Sequence, residues 1–300
     1  MKKTLSILLC IFLLALSGCG ATDAPAQIAA TTLPVYDFTC ALCLGTPITV
    51  TRLVTEQVSC LHDYSLNVRQ VKAAEASEVI VMSGAGLEEF LDDVLLGADV
   101  IDASENIELI CPEDAHDHEH GHDHAHGHDH DSHYHNEDPH TWLSPANAMV
   151  MAQNIYRGLA ARYPEYQAVF QENLIVLLKK LDALQQYGEE ALKEIGSREI
   201  ITFHDGFSYF ADSFGLTILE AVEEESGSEA SARELIHLIE IIREHDVKAI
   251  FTEVNGSSSA ASIISRETGV NCAALDMGMS GDSYFEAMYH NIDTLKEALQ

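Results

Sequence analysis

Residues 144–195 read SPANAMVMAQNIYRGLAARYPEYQAVFQENLIVLLKKLDALQQYGEEALKEI, and this stretch decides the architecture. Ser144 followed by Pro145 is a helix start, with a capping hydroxyl and then proline at the first helical position. Helical periodicity runs almost unbroken from Ala146 to Ile195, with one break at Tyr163-Pro164. The part after Pro164 would be roughly 45 Å long at 1.5 Å per residue. A helix of that length can join two lobes as a rod.

On both sides of it, short apolar runs alternate with amphipathic stretches, the pattern of α/β domains with parallel sheets. Before it, Ile28 to Thr32, Ile48 to Val54, Glu78 to Met82 and Val100 to Asp102 read as strands. Helical patterns lie between them near Val35 to Leu44, Leu66 to Ala76 and Leu87 to Leu95. After it, Glu199 to His204, Val247 to Glu253 and Val270 to Asp276 read as strands. Helices are expected over Phe207 to Phe214, Ser228 to His245, Ser257 to Thr268 and Tyr284 to Leu299. In the second of these, Leu235, Leu238, Ile239 and Ile242 form the apolar face. The two halves look like two copies of one architecture: an N-terminal lobe over 28–163, a linker helix over 164–195 and a C-terminal lobe over 196–300.

The chain opens with Lys2 and Lys3 and an apolar stretch from Leu5 to Leu16. That is shorter than the roughly 20 residues needed to span a bilayer, so it reads as a secretory signal over 1–18. Leu16-Ser17-Gly18-Cys19 resembles the lipobox of bacterial lipoproteins, which implies cleavage before Cys19 and a lipid on it. Residues 19–27 then suit a short tether to the membrane surface outside the cytoplasm. No other segment approaches spanning length. The formal net charge of −32 argues against nucleic acid, which demands a basic face. In an oxidising compartment some cysteines should pair. Cys60 with Cys111 is the preferred pair, and Cys40-x-x-Cys43 could close on itself.

Ten of the sixteen histidines fall in one acidic run: His116, His118, His120, His122, His124, His126, His128, His130, His133 and His135. Neutral imidazole interleaved with carboxylate is a ligand set for a borderline divalent ion such as Zn²⁺, and no packed core needs such a segment. Outside the run, His62 follows the Ile48 to Val54 strand, His140 precedes a helix, His204 ends a strand and Asp276 ends another. Open α/β sheets bind ligands beyond the C-terminal ends of their strands, where at least three of these four lie. His237, His245 and His290 sit on helices, where exposed or capping roles suffice.

Five motifs carry a family resemblance: Thr31-Thr32-Leu33-Pro34-Val35-Tyr36-Asp37, His62-Asp63-Tyr64, Asp138-Pro139-His140-Thr141-Trp142-Leu143-Ser144-Pro145, Phe203-His204-Asp205-Gly206-Phe207-Ser208-Tyr209-Phe210 and Ile250-Phe251-Thr252-Glu253. In this order, and over residues 27 to 300, the chain resembles the zinc and manganese solute-binding proteins of ABC importers, the ZnuA- or TroA-like family. The resemblance implies two α/β lobes joined by a rigid helix, with one metal ion between them. Its ligands fall on His62, His140, His204 and Asp276. Met277 stands where the family usually has proline, which leaves Glu253 or water as a rival fourth ligand. A role for Glu253 in orienting a ligand histidine through its other N–H is preferred.

Three imidazoles and one carboxylate suit tetrahedral Zn²⁺. Relatives thought to carry Mn²⁺ tend to have a carboxylate where this chain has His204, and a harder, oxygen-rich site suits that ion better. Cu²⁺ and Ni²⁺ also favour imidazole. The expected function is capture of extracytoplasmic zinc by a monomer and its delivery to an ABC permease with its ATPase, while the loop at 114–137 gathers or buffers zinc. A secreted zinc hydrolase is an alternative, but no His-Glu-x-x-His helix is present. A surface metal buffer or adhesin without a transport partner is another.

Overall fold

The computed structural model describes residues 27–56, 58, 61, 64–91, 95, 97–111, 137–222, 231–279 and 281–300. The signal segment, Cys19, Cys60, His62 and every histidine of the run from His116 to His135 lie outside the described residues.

The first lobe contains β1 (Ile28–Ala30), α1 (Leu33–Cys43), β2 (Val50–Arg52), α2 (Val68–Glu75), β3 (Val79–Met82) and β4 (Val100–Asp102). Then come α3 (Pro145–Arg162), a 3-10 turn at Pro164–Tyr166 and α4 (Gln167–Ala191). The second lobe contains β5 (Glu199–Thr202), α5 (Ser208–Phe214), β6 (Thr217–Ala221), α6 (Ala232–His245), β7 (Ala249–Glu253), α7 (Ser259–Thr268), β8 (Asn271–Leu275) and α8 (Tyr284–Ala298). Each lobe holds one parallel sheet, in the orders β2-β1-β3-β4 and β6-β5-β7-β8. The orders are the same when strands are counted within each lobe, which is the two-copy architecture expected from the sequence.

The period of two along each strand divides the core. Ile28, Ala30, Val79 and Val81 point into one large cluster, which Ile200, Ala249 and Phe251 enter from the second sheet. Ala29 and Ile80 point the other way, into a small outer cluster, as do Ile201 and Ile250 in their own lobe. The central cluster is therefore shared by both lobes.

The helix expected at Ser144-Pro145 starts there, with the Ser144 hydroxyl accepting from the Asn147 N–H. It stops at Arg162, because Pro164 lacks the N–H and restricts the residue before it. The 25 residues of α4 span about 37 Å at 1.5 Å per residue. Phe170, Leu177, Leu181, Leu184 and Gly188 form its buried stripe. The helix touches α1 and α3 on one side and α5 and α8 on the other. Gly188 is required by close approach, since a Cβ there would stand 2.2 Å from the Phe214 ring.

Three expectations need correction. Of the helix expected over Leu87–Leu95, the described part holds a 3-10 turn at Glu89–Leu91 and helical backbone at Leu95. It follows a left-handed run at Gly84, Ala85 and Gly86, none of which can belong to a right-handed helix. Strand β6 was not expected. It is a sheet edge, partly exposed along most of its length, so Thr217 to Ala221 carries no apolar alternation. Finally, Cys40, Cys43, Cys111 and Cys272 are free thiols. Cys40 bonds the Tyr36 side chain within α1 rather than Cys43, and burial pushes Cys43 up to about 12. Cys111, the expected partner of Cys60, is exposed.

Candidate metal centre

His140 and His204 come from opposite lobes and face each other. His204 follows β5 by two residues, where Phe203 still donates to the Phe251 carbonyl at 2.8 Å. His140 sits at the start of the 3-10 turn Thr141–Leu143. Both rings are 1% exposed. Their Nε2 atoms are 3.5 Å apart and their planes lie at 85°.

A carboxylate stands behind each ring. Asp138 Oδ1 accepts the His140 backbone N–H at 2.9 Å and lies 2.8 Å from His140 Nδ1. Glu253, the last residue of β7, brings Oε1 to 3.9 Å from His204 Nδ1, within ion-pair reach but too long for a hydrogen bond. Such carboxylates favour the tautomer with its proton on Nδ1 and leave the Nε2 lone pair for a cation. Two imidazoles on one tetrahedral zinc, with bonds of about 2.0–2.1 Å, hold their nitrogens about 3.3–3.4 Å apart. The observed separation fits that geometry.

The turn that carries His140 is gripped by the second lobe. The Tyr209 hydroxyl donates to the Asp138 carbonyl at 2.9 Å, and Trp142 Nε1–H donates to the Met277 carbonyl at 2.8 Å. The Tyr284 hydroxyl donates to the Trp142 carbonyl at 2.8 Å.

Asp276 follows β8 directly and is partly buried. Asn291 holds its backbone from both sides, with two bonds of 2.7 Å, and its Oδ1 accepts the Gly278 N–H at 2.8 Å. Burial raises its carboxyl above the ordinary value, while the Gly278 bond and the charge of His290 act the other way. Its neighbour Met277 reaches the same small gap beside Gly206 that the His204 ring borders.

Among the described residues no three His, Cys, Asp or Glu side chains form one metal-binding group. The structure thus joins His140 to His204, sets Glu253 behind the latter and leaves Asp276 outside their immediate cluster. His62 lies outside the described residues. Two contributors escaped the sequence reading. Asp138 stands two residues before His140, a spacing at which a tight turn folds a carboxylate back onto a ring. Gly206 is required by contact alone.

The family described as zinc-uptake complex component A, periplasmic (ZnuA), matches residues 28–298. The zinc-binding lipoprotein AdcA of Streptococcus pneumoniae serotype 4 is 28% identical over 319 residues, covering 99% of this chain and 61% of that protein. The chain therefore spans less than two thirds of that relative's length. The crystal structure of Zn(II)-bound AdcA from Streptococcus pneumoniae is similar with a TM-score of 0.73 at 25% identity, over 91% of this chain and 57% of that one. The solute-binding protein FpvC of Pseudomonas aeruginosa with Ni²⁺ reaches a TM-score of 0.75 at 25% identity, over 91% of this chain and 96% of that one. The family's members are uptake components rather than enzymes. With the fold, the facing histidine pair and a match over nearly the whole chain in agreement, this chain belongs to the ZnuA family of periplasmic zinc-uptake components.

Proposed function

We propose that this protein captures Zn²⁺ outside the cytoplasm and delivers it, as a monomer, to an ABC permease and its ATPase. His62, His140, His204 and Asp276 would hold one ion, Asp138 and Glu253 would orient the two facing histidines, and the lipid on Cys19 would keep the protein beside the permease. The loop at 114–137 leads directly into the turn of His140, so its weak ligands would concentrate zinc at the cleft. The observation that carries this reading is the pair of buried imidazoles from two lobes, 3.5 Å apart at Nε2 with a carboxylate behind each ring.

The test is zinc stoichiometry of the mature protein lacking residues 114–135, purified without an affinity tag. One tightly held zinc per chain, lost in both His140→Ala and His204→Ala, is the expected result. A shortened protein that takes up no zinc would leave the loop as the only binder and overturn the reading.

Two further outcomes are expected. Asp138→Asn keeps the size of the side chain but offers its ring a weaker acceptor, and removing such a partner typically costs about 10–100-fold in metal affinity. An isothermal titration of that variant showing wild-type affinity would remove Asp138 from the centre. Zinc affinity should also fall as the pH drops through the imidazole range near about 6.5, because a protonated ring cannot ligate. Zinc should therefore stabilise the protein more at pH 7.5 than at pH 5.5 in paired thermal melts.

A further inference from the structure

Glu88 is a carboxylate that neither the ligand set nor the resemblance uses, yet the C-terminal edge of the first sheet is built around it. It is 2% exposed. Its Oε1 accepts the Thr31 hydroxyl at 2.6 Å and the Ser83 N–H at 2.6 Å, and its Oε2 accepts the Gly84 N–H at 3.0 Å. One side chain thereby ties the end of β1 to the end of β3. Only glycine fits at 84, since φ is +85° and a Cβ would overlap the Asp102 carboxylate.

The Ser83 carbonyl passes the tie onward. It accepts the Ser104 hydroxyl at 2.6 Å, and Ser104 Oγ is 2.8 Å from Thr141 Oγ1. The direction of this relay is fixed by proton count. Ser104 has one hydroxyl hydrogen and gives it to the carbonyl, so the Thr141 hydroxyl donates to Ser104 at 2.8 Å in preference to its longer 3.7 Å contact with Met151 Sδ. Thr141 is the residue after His140 and opens the turn on which that ring stands. The second lobe holds the same turn through Tyr209, Trp142 and Tyr284. On the first-lobe side, Thr141 and Ser104 hold it to the Glu88 seat.

We propose that Glu88 is a positioning residue for the metal cleft, acting through Ser83, Ser104 and Thr141 to fix the turn that presents His140. This rests on the zinc-binding reading given above. The chemistry of the seat agrees. Burial pushes the carboxyl up to about 7, while three donated hydrogen bonds favour the charged form. Above that pH the carboxylate is charged and holds its donors more tightly than the neutral form does. Ordering a buried hydroxyl relay needs such an anchor, because rotating hydroxyls have no preferred direction of their own.

The test compares wild type, Glu88→Gln, Thr141→Val, the double variant and His140→Ala. The readouts are zinc affinity by competition with a chromophoric chelator, the visible spectrum of Co²⁺ in the centre, and thermal stability. Glu88→Gln sets an NH₂ group against the Gly84 N–H, and Thr141→Val cuts the relay while leaving the Glu88 seat intact. Each single variant should weaken zinc about 10-fold and alter the Co²⁺ band. The double variant should be no weaker than the worse single one, because both act through one relay.

Lower melting temperatures with unchanged zinc affinity and an unchanged Co²⁺ spectrum would make Glu88 purely structural and overturn the proposal. Additive losses would do the same. If Glu88→Gln fails to fold, Thr141→Val decides alone. If His140→Ala keeps wild-type affinity, the metal centre itself is misassigned and the inference goes with it. If only Glu88→Gln and Thr141→Val leave affinity unchanged, the centre stands and this inference fails.

Discussion

Replacing Gly206 by alanine is expected to remove most of the tight zinc binding while leaving the fold in place. The reason is local. A Cβ at 206 would stand 2.7 Å from His204 Cδ2, 2.8 Å from His204 Nε2 and 2.8 Å from the Met277 methyl. Methionine is flexible and yields at little cost. The imidazole does not, because it is packed at 1% exposure between His140 and Glu253. The new methyl therefore presses on the very nitrogen that faces His140, and relief requires the ring to rotate away from the ion. A lost imidazole should cost more than the roughly 10–100-fold typical of a lost outer partner. Gly206 is buried in the turn before α5, outside the strands of both sheets, and the flexible Met277 is its main neighbour from the core. The measurement is zinc affinity with circular dichroism as the control for folding. A folded Gly206→Ala protein with wild-type affinity would mean that His204 does not face the ion from this position.

That glycine also marks where sequence reading stops. The two-lobe plan was legible because its signals are periodic and local: a capped helix start, a proline break, then one long apolar stripe. His204 was legible because strand ends in α/β sheets are where ligands sit, and His140 because the motif from Asp138 to Pro145 sets it just before a helix. The roles of Gly206 and Asp138 depend on contact. One is set by an approach between His204 and Met277, 73 positions apart in the chain. The other is set by a backbone turn that brings Asp138 Oδ1 to the backbone N–H and the ring Nδ1 of His140.

Glu88 failed for a different reason. Leu87 to Leu95 reads as an amphipathic helix, and a glutamate in such a pattern is unremarkable. The left-handed run over Gly84, Ala85 and Gly86 overrides the pattern and turns Glu88 onto the amides of Ser83 and Gly84. Strand β6 was lost because edge strands need no buried face, so its five residues carry no apolar alternation. In each case a tertiary contact took precedence over a local preference.

Tyr284→Ala should produce the largest loss of stability, and the loss should appear in both lobes at once. Tyr284 opens α8 and is fully buried. Its ring packs edge-on against Phe38 of α1 at 5.0 Å, and its hydroxyl donates to the Trp142 carbonyl at 2.8 Å. Truncating a buried aromatic to alanine costs about 3–5 kcal/mol through lost transfer energy and the cavity left behind. Tyr284→Phe, which loses only the hydrogen bond and strands the Trp142 carbonyl, should cost about 1 kcal/mol. For a chain of this size the alanine variant should melt on the order of 10 °C lower.

The distribution of the loss is the sharper test. Phe38, Trp142, Phe251 and Tyr284 belong to one continuous core cluster, so the lobes share their main apolar contacts. Trp142 is the only tryptophan in the chain and stands 5.3 Å from the His140 ring, so its fluorescence reports the cleft. Far-ultraviolet circular dichroism reports all the helices. With metal removed, since bound zinc would add its own stabilisation, the two signals should fall together in the wild type and in Tyr284→Ala. Separate transitions would show that the lobes unfold independently, and the shared core would then be too weak to hold His140 against His204 before zinc arrives.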